Sequence, residues 1–301
     1  MNNEDELRLK RDRINRSIQK TYHKALYTKF VQAVSDYGLI EEGDSIAVCI
    51  SGGKDSMCMA KLFQEIKRHN KFPFEVRYLV MDPGYSTPNR DLILHNAELL
   101  DIPLTVFDSQ IFDTVYKIDR SPCYLCARMR RGHLYAKAKE YGCNKIALGH
   151  HFDDVISTLL MGMFYSGQYE AMMPKLKSTN FEGMELIRPM YYIKESDIIK
   201  WAGYNGLTFL QCACRFSEQA ARENSEDESI SKRIETRKLI EELRKSNPYI
   251  EDNIFAAMSN VTLNKLLGFK YKNSRYGFLD HYDDDLDIAV RKSSSASSSL
   301  E

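Results

Sequence analysis

DSIAVCISGGKDS, residues 44–56, combines a continuous apolar run, two glycines and a polar segment that can start a helix. The run Asp44–Ile50 is expected to be a strand buried on both faces, because it does not alternate with polar residues. The glycines allow a sharp turn, and a helix is expected over Asp55–Arg68. A buried strand that passes through a glycine turn into a helix is typical of the first unit of an α/β domain.

The same alternation continues downstream of this unit. Further strands are expected over Phe74–Met81, Pro103–Phe107 and Asn144–Gly149, and helices near Asn89–Leu100, Ile111–Ile118, Arg128–Tyr141 and Asp153–Phe164. Strands that alternate with helices predict an α/β fold, with a parallel sheet that is covered by helices on both faces. Ligands of such sheets bind beyond the carboxyl ends of the strands, where residues 51–56 and 149–154 are expected to lie.

Segments outside this alternating region are expected to be helical. A helix over residues 5–37 is indicated by apolar positions at Ile14, Ile18, Tyr22, Leu26 and Phe30. Helices are also expected over Ile230–Leu243 and Asn253–Leu267. The predicted organisation is an N-terminal helical arm (1–40), a catalytic domain (41–225), a C-terminal helical extension (226–290) and a disordered serine-rich tail (291–301).

The composition is that of an ordinary soluble protein, with 43% hydrophobic and 28% charged residues. Its apolar runs are too short to cross a membrane and its first residues are polar, so we expect a cytoplasmic protein. The seven cysteines are then expected to be thiols or metal ligands rather than disulfides. A net charge of zero argues against nonspecific coating of nucleic acid. The locally basic stretch Arg8–Lys24 fits either a solvated helix face or a contact to a phosphate backbone.

The segment SGGKDS is expected to bind phosphate. Its cofactor-binding residues are Ser51, Gly52, Gly53, Lys54, Asp55 and Ser56. The glycines allow close approach of the backbone, and the start of the following helix offers free N–H groups to an anion. Asp55 is expected to hold a Mg²⁺ ion that bridges the phosphates. The pattern differs from GxxxxGK[ST], so a P-loop nucleotidase is disfavoured.

SGGKDS resembles the signature of the PP-loop ATPases, and GHHFDD at residues 149–154 resembles the second conserved block of that superfamily. The resemblance implies that ATP is bound and AMP is transferred to a substrate oxygen. It implies that His150, Asp153 and Asp154 face the nucleotide and its metal. The alternative for Asp153 and Asp154 is that they only begin a helix, where the helix dipole favours carboxylates.

The cysteines divide into two groups by their spacing. Cys123 and Cys126 form a CxxC pair, and Cys212 with Cys214 forms a CxC pair. Cys49 and Cys58 are expected to be buried and structural, and Cys143, in a turn after a helix, is expected to be inert as well. If all four cysteines of the CxxC and CxC pairs bind one metal ion, they could form a structural zinc site.

The order CxxC, RMRRG, IALGHHFDD, MGMFYSGQ and MMPKLKS resembles the tRNA 2-thiocytidine synthetase family, over roughly residues 20–265. The resemblance implies a 4Fe–4S cluster on three cysteines, here Cys123, Cys126 and Cys214, with Cys212 as the alternative third ligand. Asp55, Asp154 and Cys126 are then the catalytic residues. The implied reaction adenylates C2 of a tRNA pyrimidine, cytidine 32, and replaces its oxygen with sulfur from sulfide or a persulfide-carrying protein.

Basic residues near these motifs are candidates for tRNA binding. They are Arg128, Arg130 and Arg131 after the CxxC pair, and Lys175 and Lys177 in a loop segment. Arginine suits phosphate recognition because its guanidinium forms a planar fork. A homodimer is one expected assembly. The alternative functions are thiolation of uridine, a lysidine-type or amidating ligase with structural zinc, and a noncatalytic RNA-binding module.

Overall fold

A mostly parallel sheet forms the centre of the protein. The computed structural model describes residues 3–69, 71–109, 122–210 and 228–282. The strands of the main sheet are β1 (Ser45–Ile50), β2 (Glu75–Asp82), β3 (Leu104–Asp108), β4 (Lys145–Ala147), β5 (Lys175–Lys177) and β6 (Glu185–Ile187). Their order is β3-β2-β1-β4-β6-β5, and only the edge pair β5–β6 is antiparallel.

Helices follow the strands as the alternation predicts. They are α1 (Asn3–Arg16), α2 (Thr28–Asp36), α3 (Lys54–His69), α4 (Thr87–Leu99), α5 (Pro122–Glu140), α6 (Phe152–Ser166), α7 (Glu195–Tyr204), α8 (Glu228–Ser246) and α9 (Ile250–Ala257). The predicted α/β class and parallel sheet are confirmed. The expected helix Ile111–Ile118 lies outside the described residues, and α5 begins six residues before the predicted Arg128.

Strand β1 is covered on both faces. Five consecutive residues, Ile46–Ile50, are buried, and neighbouring side chains of a strand point to opposite faces. On one face, Ala47 and Cys49 pack in a cluster that includes Tyr135 and Ala138 of α5. Burial on both sides explains why the sequence here is continuously apolar.

The N-terminal arm departs from the single α-helix predicted over residues 5–37. Between α1 and α2 the chain winds as two π-helical segments, Ser17–Thr21 and His23–Tyr27. The apolar residues of the arm recur every four positions, and an α-helix of 3.6 residues per turn would rotate each by about 40° from the last. The wider π winding counteracts this drift, and Ile14, Ile18, Leu26 and Phe30 are all buried.

Strands β1 and β4 meet at the point where the strand order reverses. β1 pairs in parallel with β2 on one side and with β4 on the other. The crevice beyond the carboxyl ends of two such strands is the usual ligand site of an open α/β sheet. The segments 51–56 and 149–154 both begin at this crevice, as the sequence predicts.

A buried ion pair ties the amino ends of the same strands. Lys145 at the start of β4 donates to Asp44 at 2.6 Å and to the carbonyl of Leu39 at 3.2 Å. The side chains of Lys145 and Asp44 are 3% and 6% exposed. Asn144 adds a bond to the other oxygen of Asp44 at 2.8 Å. The pair thus fixes β4 against the residues that lead into β1.

The C-terminal residues form a separate compact unit. The chain divides into Met1–Pro248 and Tyr249–Glu301, so α8 belongs with the sheet; the division at 40, 225 and 290 stays a prediction. The helix predicted over Asn253–Leu267 is wrong beyond Ala257. It is followed by a 3₁₀ turn (Leu263–Lys265) and an unpredicted hairpin, β7 (Gly268–Tyr271) and β8 (Ser274–Gly277). The hairpin packs Phe269 on Tyr276, with ring centroids 4.9 Å apart.

The buried pair predicts unequal effects of two lysine substitutions. Lys145→Met should lower the free energy of unfolding by about 3 kcal/mol, because it leaves the Asp44 carboxylate buried without its cation. Lys67→Met removes an exposed pair with Glu75, 2.9 Å long, and should change that free energy by about 1 kcal/mol or less. Urea unfolding of both variants measures the difference. Equal losses would mean that Lys145 does not hold the two strands together.

Candidate functional site

The loop between β1 and α3 is a tight turn with its own hydrogen bonds. Gly52 has a φ of +83°, which side-chain-bearing residues rarely adopt. A Cβ atom there would stand 2.6 Å from the side chain of Ile93. The Ser56 hydroxyl donates to the carbonyl of Gly53 at 3.0 Å and accepts from the backbone N–H of Ser51 at 3.1 Å. Ser56 therefore shapes the loop, and the first N–H groups of α3 have no acceptor within the helix.

The loop between β4 and α6 lies directly against the start of α3. A Cβ atom at Gly149 would stand 3.2 Å from the backbone nitrogen of Ser56 and 3.3 Å from the carbonyl carbon of Asp55. A side chain there would require its neighbours to move by a few tenths of an ångström, so glycine favours this close approach of the two loops. The contact brings SGGKDS and GHHFDD together at one crevice.

The two aspartates after Gly149 form hydrogen bonds that fix the local backbone, in addition to their negative charge. Asp154 accepts the backbone N–H of His151 at 3.2 Å, which closes a capping box at the start of α6. Asp153 accepts the backbone N–H of Glu195 at 2.7 Å, which joins α6 to the start of α7. Helix initiation is therefore one role of these residues, as the alternative interpretation predicted.

Charged side chains from both loops surround the crevice. Lys54 contacts Glu195 at 2.7 Å and Asp55 at 3.2 Å. Burial lowers the pKa of Lys54, but these carboxylates outweigh it and hold that pKa above its ordinary value. Burial is the largest influence on Asp55 and raises the pKa of its carboxyl, against the effects of His151 and Lys54. One oxygen of Asp55, Oδ1, is buried without a hydrogen-bond partner among the described residues.

His151 is the histidine that contacts the carboxylates. Its ring nitrogens lie 3.5 Å from Asp153, 3.5 Å from Asp154 and 3.8 Å from Asp55. Burial lowers the pKa of His151, but the three carboxylates outweigh it, so the pKa is raised. For Asp153, burial raises the pKa, yet His151 and the N–H of Glu195 hold it below the ordinary range. The three carboxylates therefore favour the protonated form of His151 on the acidic side of the crevice.

The comparisons with known proteins agree with this geometry. Residues 16–223 match the PP-loop domain family. tRNA-cytidine(32) 2-sulfurtransferase of Syntrophotalea carbinolica is 35% identical over 87% of this chain and 95% of the relative. The proteins of that name from Geotalea daltonii and Coxiella burnetii are also 35% identical, over 85% of this chain and 99% and 97% of theirs. The chain belongs to the tRNA-cytidine(32) 2-sulfurtransferase family of PP-loop proteins.

A solved structure has the same fold. The U34-tRNA thiolase NcsA from Methanococcus maripaludis, with its 4Fe–4S cluster, superimposes with a TM-score of 0.59 at 21% identity. The match covers 78% of this chain and 79% of the thiolase. The sheet and the helices around it are therefore those of a PP-loop domain.

His150 faces arginines in this PP-loop site. Burial, then Arg188 and, less strongly, Arg131, lower the pKa of His150 to about 4, so its imidazole is neutral at pH 7. Burial and Arg131 lower the pKa of Arg188 to about 10. Nδ1 of His150 and Nε of Arg188 are buried without hydrogen-bond partners among the described residues. This side of the crevice is positively charged and offers unused polar atoms.

The predicted burial of Cys49 and Cys58 is confirmed, and Cys143 is buried as well. All three are free thiols. Burial raises the pKa of Cys49 to about 12 and also raises those of Cys58 and Cys143. The backbone at positions 123 and 126 belongs to the first turn and a half of α5, and their side chains, like that of Arg128, lie outside the described residues. So do Cys212 and Cys214.

The basic candidates separate in space. Arg131 acts on His150 at the crevice, and Arg130 lies on the same helix, partly exposed. Lys175 and Lys177 form the edge strand β5, so the expected loop there is wrong. Lys175 contacts Glu185 and Glu41, both at 3.2 Å. These acids lie beside Lys145 at the amino ends of the strands, whereas the phosphate loop lies at the carboxyl ends.

Sequence reasoning missed four residues of the site. They are His151, Arg188, Glu195 and Arg237. The guanidinium of Arg237 lies 3.7 Å from Asp154 and 3.6 Å from Glu195. Arg188 directly follows β6, so the rule that ligands bind at carboxyl ends of strands could have found it. Nothing near Arg237 in the sequence marks it, because it comes from α8, beyond the matched PP-loop residues.

The described residues contain neither a complete metal-binding cage nor a helix that could span a membrane. No group of three or more histidine, cysteine, aspartate or glutamate side chains there is arranged to hold a metal ion by itself. None of the helices in that part of the chain is long and apolar enough to cross a membrane.

The tight turn predicts that Gly52→Ala disturbs nucleotide binding more than a matched glycine change. Gly167 also has a positive φ, +60°, but a Cβ there meets nothing within 4 Å. Both changes should lower the free energy of unfolding by about 1–3 kcal/mol through backbone strain. Only Gly52→Ala should also reduce the rise in melting temperature that saturating ATP produces, since its Cβ displaces the loop. An unchanged ATP effect would mean that the loop geometry is not required for binding.

Proposed function

We propose that this protein is an ATP-dependent tRNA sulfurtransferase that replaces the oxygen at C2 of cytidine 32 with sulfur. The observation that carries the proposal is the crevice between β1 and β4, where the SGGKDS and GHHFDD loops meet in a chain with this family's sequence. Near full-length similarity to relatives named tRNA-cytidine(32) 2-sulfurtransferase supports the choice of base.

ATP fits the crevice by its chemistry. The start of α3 offers unpaired N–H groups, and Gly52 and Gly149 remove the side chains that would block a close approach. Lys54 adds a cation at the same end of the helix. The partnerless polar atoms Asp55 Oδ1 and His150 Nδ1 are groups that a bound nucleotide with its water and metal can satisfy.

Mg²⁺ is the metal we propose for the phosphates, with Asp55 and Asp154 as its protein ligands. Mg²⁺ keeps several waters and is usually held by one or two carboxylates together with substrate phosphates. A complete protein cage is therefore not expected, in keeping with the described residues. Asp153 supports the site through its bond to the Glu195 backbone.

A 4Fe–4S cluster is the proposed second cofactor, held by Cys123, Cys126 and Cys214. Three of the seven cysteines are buried thiols whose raised pKa disfavours the thiolate that binds iron. The four remaining cysteines include the CxxC pair and the alternative Cys212. When bound, such a cluster supplies an iron position where sulfide can be held beside the activated base.

The reaction begins when the C2 oxygen of the cytidine attacks the α-phosphate of ATP and pyrophosphate leaves. Lys54 and the N–H groups of α3 stabilise the negative charge that develops on the phosphates. The base is then an adenylate with an electrophilic C2. Sulfur bonds to C2 and AMP leaves with the original oxygen. Arg128, Arg130 and Arg131 are proposed to bind the tRNA backbone. The sulfur source is sulfide, or a persulfide-carrying protein whose outer sulfur is released as sulfide by two electrons from a thiol reductant.

Asp55→Ala tests the adenylation step. Loss of the proposed Mg²⁺ ligand should lower tRNA-dependent release of pyrophosphate roughly 100-fold or more, while the circular dichroism spectrum and iron content stay unchanged. Asp5→Ala, at an exposed position of α1, is the control and should behave as wild type. Pyrophosphate release near the wild-type rate in Asp55→Ala would contradict the role of Asp55.

The third cluster ligand can be identified by two substitutions. Anaerobically purified wild-type protein should carry about four iron atoms per chain. Cys214→Ala should lose both iron and tRNA thiolation, because two thiolates hold a cluster poorly, while Cys212→Ala should keep most of each. The reverse pattern would assign Cys212 as the ligand. Equal losses would favour four thiolates, and stoichiometric zinc without iron would contradict the proposed sulfur chemistry.

A further inference from the structure

We propose that Arg237 is a phosphate-binding residue of the adenylation site, supplied by α8 from outside the matched PP-loop domain. The proposal rests on the ATP site described above. The Arg237 guanidinium contacts the carboxylates of Asp154 and Glu195, and on ATP binding it transfers to the triphosphate.

The contacts between the Arg237 guanidinium and the two carboxylates are longer than hydrogen bonds. Its Nη2 lies 3.7 Å from Asp154 and its Nη1 lies 3.6 Å from Glu195. Both distances exceed the 2.7–3.2 Å range of N–H···O hydrogen bonds. Its Nε is buried without a hydrogen-bond partner among the described residues. The guanidinium is therefore held at the crevice with its donors largely unused.

Helix α8 packs beside α6, which places Arg237 at the crevice with its side chain 40% exposed. Glu235 accepts the hydroxyl of Tyr165 on α6 at 2.8 Å. Thr236 and Ile240 are buried. Glu235, Thr236 and Ile240, which lie close to Arg237 along α8, thus anchor the helix. The first turn of the neighbouring α6 carries Asp153 and Asp154.

The balance of charge gives Arg237 a reason to change partners. Four carboxylates border the crevice (Asp55, Asp153, Asp154 and Glu195), opposed by the cations Lys54 and Arg237 and by His151. A Mg²⁺ ion on Asp154 would replace Arg237 as the neutralising charge of that carboxylate. The released guanidinium would then face a triphosphate, whose oxygens match its planar fork better than two separate carboxylates do.

A purely structural role makes different predictions. If Arg237 only neutralises Asp154 and Glu195, its loss should lower stability in the absence of ATP and leave ATP binding intact. If it binds phosphate, its loss should weaken ATP binding by about tenfold or more, the scale of one charge-assisted hydrogen bond. The two roles therefore separate when stability and ATP binding are measured in the same variants.

The experiment compares Arg237→Ala, Arg237→Gln and Arg237→Lys in the holoenzyme, with Lys238→Ala as control. Lys238 is the exposed neighbour on α8, so its loss removes the same charge from the same helix. The readouts are the melting-temperature shift as ATP·Mg²⁺ is titrated, and pyrophosphate release with tRNA as a function of ATP concentration. Arg237→Gln keeps much of the side-chain volume in case the alanine variant does not fold.

We expect the apparent ATP affinity to fall and KM for ATP to rise about tenfold or more in the alanine and glutamine variants. Lysine should restore part of the loss, and the control should match wild type. Wild-type ATP shifts and KM in every Arg237 variant would overturn the proposal, as would a wild-type protein that ATP does not stabilise. Failure of the proposed function looks different, because ATP would still stabilise the wild type in an Arg237-dependent way without tRNA-dependent pyrophosphate release.

Discussion

The site depends on the contact between Gly149 and the first turn of α3. With no side chain at 149, the chain leaving β4 passes against the backbone of Asp55 and Ser56. Two loops that are almost one hundred residues apart in sequence then share one crevice. A Cβ atom at this position would stand 3.2–3.3 Å from that backbone, closer than ordinary van der Waals contact. The phosphate loop and the acidic loop can act on one ligand only because this separation is so small.

The same contact brings several carboxylates close together, and basic side chains around them compensate their negative charge. It brings Asp55, Asp153 and Asp154 together where burial raises the pKa of Asp55. His151 lies within 3.8 Å of all three carboxylates, Lys54 contacts Asp55, and Arg237 contacts Asp154. The network therefore balances the charge of carboxylates that the fold brings together at the crevice.

Much of the fold could be predicted from the sequence because its signals are local. The apolar run of β1 and the glycines of the phosphate loop each report their own conformation, and the alternation of strands with helices fixes the class. The π-helical turns of the arm were not predicted, although the four-residue spacing from Ile14 to Phe30 contains that signal. The C-terminal hairpin was also missed, because its alternation around Phe269 and Tyr276 spans only four residues a strand.

The site was predicted less completely because its charges converge from distant elements. His150 and the two aspartates were found from one motif, but which histidine faces the acids depends on how the chain turns after β4. Glu195 lies 141 residues after Lys54, and Arg237 lies 182 residues after Asp55. Only tertiary packing brings these two residues to the motifs. Sequence spacing marks the CxxC and CxC pairs, whereas the burial of the other three thiols, which raises the pKa of Cys49 to about 12, comes from the fold.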